Sequence, residues 1–198
     1  MATRLVSQIH EDILLITLDG DDAYPRLERG VLSAIEGEMR RLGEEPALVG
    51  CVITGSERAF AAGAEISELA ALGREEGFAF ARRGQRAMNA VADSPKRVVA
   101  AIRGYCFGGG LDLALACHAR IATDDAVFAH PGGALGIITG WGGTQRLPRL
   151  IGEARTIEMF ITGRRVDARD SCGFGLIREI VSADRLIDTA VKRARIQL

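Results

Sequence analysis

No apolar run in this sequence approaches the roughly 20 residues needed to span a bilayer. Neither sign of charge dominates either: 25 Lys and Arg stand against 26 Asp and Glu, a formal net charge of −1. The first absence argues against a membrane protein, the second against a nucleic-acid or anionic-membrane surface. Basic residues gather only in short pairs such as Arg40-Arg41, Arg82-Arg83 and Arg164-Arg165, as solvated helix faces do. The N-terminus, Met1-Ala2-Thr3-Arg4-Leu5, enters a strand-like pattern with no signal region, so the expected location is cytoplasmic. The four cysteines, Cys51, Cys106, Cys117 and Cys172, are widely spaced in apolar surroundings, which suits reduced thiols rather than disulfides. Cys117-His118 lacks a second pair at zinc spacing, so no metal is expected.

Three signatures are also missing. Gly108-Gly109-Gly110 does not have the Gly-x-Gly-x-x-Gly spacing of a dinucleotide fold. No glycine loop ends in Gly-Lys-Ser or Gly-Lys-Thr, and there is no Gly-x-Ser-x-Gly elbow for a serine hydrolase.

What is present reads as one α/β domain over residues 1–198, long enough to bury a core. Two short strands, about 5–9 and 13–18, flank the polar turn His10-Glu11-Asp12. Leu27, Val31, Leu32, Ile35, Met39 and Leu42 keep helical spacing, and Gly43 and Pro46 end that helix. The unbroken apolar run 48–54 predicts a strand buried on both faces. Helices are predicted at 66–72 and 76–92, a strand at 98–102, a short buried helix at 111–117, and strands at 119–122 and 126–129. The segment 131–143 reads as an ordered loop with a short helical turn, and the chain beyond Leu147 as helices with a Gly173-Phe174-Gly175 turn.

Two glycine-rich stretches carry the functional signal: Phe60-Ala61-Ala62-Gly63-Ala64-Glu65 and Gly104-Tyr105-Cys106-Phe107-Gly108-Gly109-Gly110-Leu111-Asp112. Each follows an apolar strand-like run and opens a predicted helix. Such a turn leaves the helix's first N–H groups unpaired at the positive end of its dipole. Two sets of donors aimed at one point would hold a developing negative oxygen, the logic of an oxyanion hole.

These stretches, with Gly142-Gly143-Thr144-Gln145-Arg146-Leu147, Thr54-Gly55-Ser56, Phe128-Ala129-His130-Pro131, Ile161-Thr162-Gly163-Arg164-Arg165-Val166-Asp167-Ala168 and Gly175-Leu176-Ile177, resemble the crotonase (enoyl-CoA hydratase/isomerase) superfamily over essentially the whole chain. The resemblance implies an α/β spiral of ββα units with two roughly perpendicular sheets, usually assembled as a trimer or dimer of trimers. It implies an acyl-coenzyme A ligand, as in fatty acid metabolism, with coenzyme A part of the substrate and no separate cofactor. The thioester oxygen would accept from the N–H groups of Ala64 and Gly109, with Ala62, Gly63 and Gly108 shaping the loops. Arg58 matches a position that is often basic: it reads as a neighbour of the coenzyme's phosphates or as a solvated turn residue.

The carboxylates depart from the family pattern. Where family hydratases carry two glutamates, this chain has Asp112 and Gly132. Asp112 keeps the charge but is one methylene shorter, which withdraws the carboxylate by about 1.5 Å. Gly132 supplies neither acid nor base, and at the positions where some isomerases and dehalogenases place a carboxylate stand Thr139 and Gly140. Standard two-glutamate hydration is therefore not expected.

Gly132 reads instead as a bicarbonate-type site, as room for a bulkier acyl group, or as the mark of a lost activity. Asp112 reads as a catalytic acid/base or a helix-start residue. His130 reads as a substitute base or a histidine satisfied by backbone partners, and Trp141 as a wall of the acyl site or as core or interface packing. Pro25-Arg26-Leu27 replaces the family's usual Asn-Ala-Leu, and the helical part from about 148 to 198 is shorter than in typical members. The expected function is enoyl-CoA hydratase/isomerase-like enolate chemistry; the alternative is a non-catalytic acyl-CoA-binding or scaffold protein on the same fold.

Overall fold

The computed structural model describes residues 2–198; Met1 of the N-terminal reading lies outside them. In chain order, the first half contains β1 (Thr3–His10), β2 (Ile13–Gly20), α1 (Arg29–Glu44), β3 (Gly50–Thr54), β4 (Ala59–Ala61), α2 (Ile66–Ala70), α3 (Arg74–Ala92) and β5 (Arg97–Ile102). Then come β6 (Tyr105–Phe107), α4 (Gly109–Ala116), β7 (Ala119–Ala122), β8 (Val127–Ala129), a 3-10 turn (Pro131–Leu135), α5 (Gly143–Ile151), α6 (Glu153–Thr162), β9 (Val166–Asp167), α7 (Ala168–Gly173), β10 (Glu179–Ile180) and α8 (Leu186–Ala194).

The strands form two mixed sheets, one ordered β1-β2-β3-β5-β7-β10 and one ordered β4-β6-β8-β9. β1 and β2 make an antiparallel hairpin that closes at His10 opposite Ile13, on either side of the predicted polar turn. From β2 onward the larger sheet is parallel, so its middle strands need apolar residues on both faces. β3 and β5 meet that demand. On one face Ile53, Val98 and Ala100 join the core with α1, α3 and α4; on the other Val52, Val99 and Ala101 pack on Leu186, Ala190, Val191 and Ala194 of α8. Helix α8 comes so close that a Cβ on Gly50 would sit 2.3 Å from the Ala194 carbonyl oxygen.

The predicted spacing of α1 holds: Val31, Leu32, Ile35, Met39 and Leu42 are its buried face. The helix runs through Gly43 to Glu44, and Lys96 finishes it by donating to the carbonyls of Leu42 and Glu45, each at 2.7 Å. A cation there also complements the negative end of the helix dipole.

Two short strands correct the sequence reading. The glycine bends at Gly63 and Gly108 do not follow the long apolar strands directly; β4 and β6 precede them and pair parallel to each other in the smaller sheet. At three residues each they are too short to show alternation. The region beyond Leu147 is not wholly helical either: β9 pairs antiparallel with β8, and β10 pairs parallel with β7. These two-residue strands tie the late helices to both sheets.

Candidate active site

The parallel pairing of β4 with β6 brings the two glycine bends side by side, since each bend leaves the same edge of one sheet. Gly63, at φ 97°, and Gly108, at φ 53°, both occupy the left-handed half of backbone space that residues with a Cβ rarely enter. A Cβ on Gly63 would lie 3.0 Å from the Gly109 nitrogen and 3.0 Å from the Phe107 carbonyl oxygen, which measures how closely the bends approach. At the second residue of α4, a Cβ on Gly110 would lie 2.3 Å from the Ala61 oxygen, so the start of that helix rests on β4.

The first bend is also held from outside. Leu27 N–H donates to Gly63 O and Ala62 N–H donates to Pro25 O, both at 2.8 Å. The segment Pro25-Arg26-Leu27 thus acts as a strap, and the Arg26 guanidinium fastens it through Asp22 at 2.9 Å and Glu65 at 3.0 Å. A hydrogen bond from Arg26 holds the Asp22 carboxyl below its ordinary value, and backbone and hydroxyl donation from Ser67 does so for Glu65. An open, polar hollow of 690 Å³ lies along Arg26, Glu28, Arg29, Glu65 and Glu68, with carboxylates and guanidiniums mixed along it.

Behind the bends is a mainly apolar cavity of 410 Å³. Ile66, Leu69, Leu72, Phe80, Leu135 and Ile137 contribute apolar wall, and Ala62, Gly63, Ala64, Gly108 and Gly109 line it. Among the described residues, the N–H groups of Ala64 and Gly109 donate to no protein acceptor, whereas those of Ala62 and Gly108 are consumed by Pro25 O and Ala129 O. Unpaired donors on an apolar wall are the arrangement an oxyanion needs.

Asp112 projects from the first turn of α4 and is only 1% exposed. Its Oδ2 accepts from the Thr139 hydroxyl. Its Oδ1 faces His130 Nε2 at 3.3 Å, and the imidazole, 4% exposed, meets the Phe160 ring edge-on with centroids 5.0 Å apart. The three groups converge over Gly143 at the start of α5, where a Cβ would stand 2.3 Å from Asp112 Oδ1, 2.7 Å from Thr139 Cγ2 and 3.1 Å from His130 Nε2.

With this geometry in view, the comparisons with known proteins are direct. The sequence profile of the enoyl-CoA hydratase/isomerase family matches residues 8–197. The chain belongs to the enoyl-CoA hydratase/isomerase family. A solved enoyl-CoA hydratase from Bacillus anthracis is 33% identical, with a TM-score of 0.90 over 96% of this chain and 74% of that one. Pseudomonas aeruginosa DspI is 32% identical, with a TM-score of 0.91 over 96% of this chain and 72% of that one.

Within that family setting the other predicted residues fall into place unevenly. Trp141 is both wall and core: it lines the cavity, is buried, and packs on Phe80 with ring centroids 5.2 Å apart. Its indole fills the space over Gly84 and Gly109, where a Cβ would lie 2.1 Å from Nε1 and 2.4 Å from Cζ3 respectively. Gly132 lines the cavity, but the space beside its Cα is not open: a Cβ there would lie 2.7 Å from the Ile137 carbonyl oxygen. Room for a bulkier acyl group does not come from that direction. Arg58 is exposed outside the cavity wall, its guanidinium 4.9 Å above the Tyr24 ring. Sequence reasoning missed Thr139 as a partner of Asp112, and it missed the strap. The departure at Pro25-Arg26-Leu27 was visible, but its role lies in main-chain bonds that residue identity does not encode.

Among the described residues no group of three or more His, Cys, Asp and Glu is placed to hold a metal, and no helix is long and apolar enough to cross a membrane.

Proposed function

We propose that this protein binds an acyl-CoA thioester, holds the thioester oxygen on the N–H groups of Ala64 and Gly109, and uses Asp112 as acid/base in enolate chemistry. The observation that carries the reading is the pair of unpaired donors on the wall of an apolar cavity that also presents one buried carboxylate. Removing a proton beside the carbonyl sends the C–H electron pair to the thioester oxygen, and two unpaired N–H donors on the cavity wall would stabilise that charge. Returning the proton to another carbon shifts a double bond and needs no second carboxylate. Adding water needs a group to position and deprotonate it, and Gly132 supplies none. The ligand is wholly substrate, with coenzyme A as its carrier and no further cofactor.

Calorimetry with hexanoyl-CoA, crotonyl-CoA and free coenzyme A tests the reading. Both thioesters should bind more tightly than the free coenzyme, and equal affinity for all three would refute it. The purely binding alternative gains from Gly132, whose side-chain direction is closed by Ile137. Proton exchange at C2 of hexanoyl-CoA in deuterated water separates the two, since a binding protein would leave that proton in place. The cytoplasmic, trimeric state remains part of the proposal. Sedimentation should give three or six chains per particle, with exposed Ile157 and Ile161 on α6 as one apolar surface to probe by substitution.

A further inference from the structure

Two ionisable side chains line the cavity among the described residues, Asp112 and His130, and they face each other. Asp112 Oδ1 and His130 Nε2 are both buried, and at 3.3 Å they make no hydrogen bond to each other or to any other group among the described residues. Two buried lone pairs cannot be left opposed at 3.3 Å, so a proton belongs on this contact. Thr139 occupies the other carboxylate oxygen as a donor, which leaves Oδ1 as the oxygen open to exchange. Phe160 sets the plane of the imidazole, and Gly143, by lacking a Cβ, leaves room for all three groups. The nearby thiol of Cys106, on β6, is pushed well above its ordinary value by burial and stays protonated.

Resting on the thioester reading above, we infer that Asp112 and His130 work as one proton-holding unit, with Asp112 the catalytic carboxylate and His130 the positioning residue that shares its proton. The proton leaves C2 for the Oδ1–Nε2 contact while the C–H electron pair moves to the thioester oxygen. A proton then returns from that contact to C2, or to C4 with a shift of the double bond, so atoms and charge balance without a co-reactant, and C2 takes up deuterium whenever solvent has exchanged the held proton. The imidazole also answers the missing methylene: a short, buried carboxylate keeps a polar partner whether or not it carries the substrate's proton.

The test is exchange at C2 of hexanoyl-CoA and isomerisation of 3-hexenoyl-CoA by wild type, His130→Gln, Asp112→Asn and the double variant, each checked for folding by thermal unfolding. Each single variant should lose about 100-fold in kcat with KM within about threefold. The double variant should lose little more, because the pair acts as a unit. Added imidazole should restore about tenfold to His130→Ala by refilling the place beside Asp112 Oδ1. A His130→Gln enzyme within threefold of wild type, or losses that multiply in the double variant, overturns the inference.

Hexanoyl-CoA binding by calorimetry separates this failure from failure of the thioester reading, since binding persists when only the shared proton is wrong. A ligand-free readout stands independently: the 15N ring resonances of His130 should change in Asp112→Asn. An unaltered spectrum refutes the shared proton whatever binds in the cavity.

Discussion

Gly143→Ala puts the convergence of Asp112, His130 and Thr139 to its sharpest test. The position opens α5, and its φ lies outside the left-handed region, so the backbone accepts alanine. The added carbon, however, would stand 2.3 Å from Asp112 Oδ1, against an ordinary contact of 3.4 Å or more. The carboxylate must therefore move by about 1 Å, and rotating it away breaks its contacts with Thr139 and His130. Overpacking of this kind destabilises by about 1–3 kcal/mol. Helix preference for alanine over glycine returns up to about 1 kcal/mol. The net loss should be about 0–3 kcal/mol, a fall of up to about 12 °C in Tm for a chain of this size. Catalysis should suffer far more, because a displacement near 1 Å at a reacting group can lower the rate about 100-fold. The assay is exchange at C2 of hexanoyl-CoA, read as kcat beside Tm. Gly37→Ala is the control: it is exposed within α1 with nothing within 4 Å of its added carbon, so Tm should rise by about 2–4 °C with kcat unchanged. A Gly143→Ala protein that folds and keeps kcat within threefold of wild type would refute the reasoning.

Gly132→Glu restores a family glutamate in sequence only. Its Cβ meets the Ile137 carbonyl at 2.7 Å and strains the Ile137 N–H to Gly132 O bond, so Tm should fall and crotonyl-CoA should gain no hydration, monitored at the enoyl absorbance. Gly63→Ala, at φ 97° and against the Gly109 nitrogen, should lose about 1–3 kcal/mol and weaken hexanoyl-CoA binding by calorimetry more than free coenzyme binding. Stability should fall at both ends of the pH range, followed by denaturant unfolding. Burial raises the Cys117 thiol from 9.0 to about 12 and lifts Cys51 and Cys106 well above 9.0, so their contribution is complete below the unfolded value and is lost as pH rises above about 9. Burial, then the charge of Arg97, lowers His118, whose Nδ1 accepts from Val98 N–H at 2.9 Å; that contribution is complete above 6.5 and is lost as pH falls below it. Flat stability from pH 5 to 11 would contradict both assignments.

The sequence by itself determined the longer elements and the outline of the site. The spacing of Val31, Ile35, Met39 and Leu42 specifies α1 because a helix returns to one face every 3.6 residues. The unbroken apolar run at β3 specifies a strand covered on both sides, and Gly63 and Gly108 specify bends that other residues would strain. The absence of a carboxylate at Gly132 was equally plain. Only the tertiary structure decided the rest. β4 and β6 are too short to be seen from pattern and exist because each supplies the other's hydrogen bonds. The strap at Pro25-Arg26-Leu27 works through main-chain atoms that every residue shares. The meeting of Asp112, His130 and Thr139 joins positions up to 27 residues apart, and it depends on a glycine from α5, which has room for three side chains only because it has none of its own.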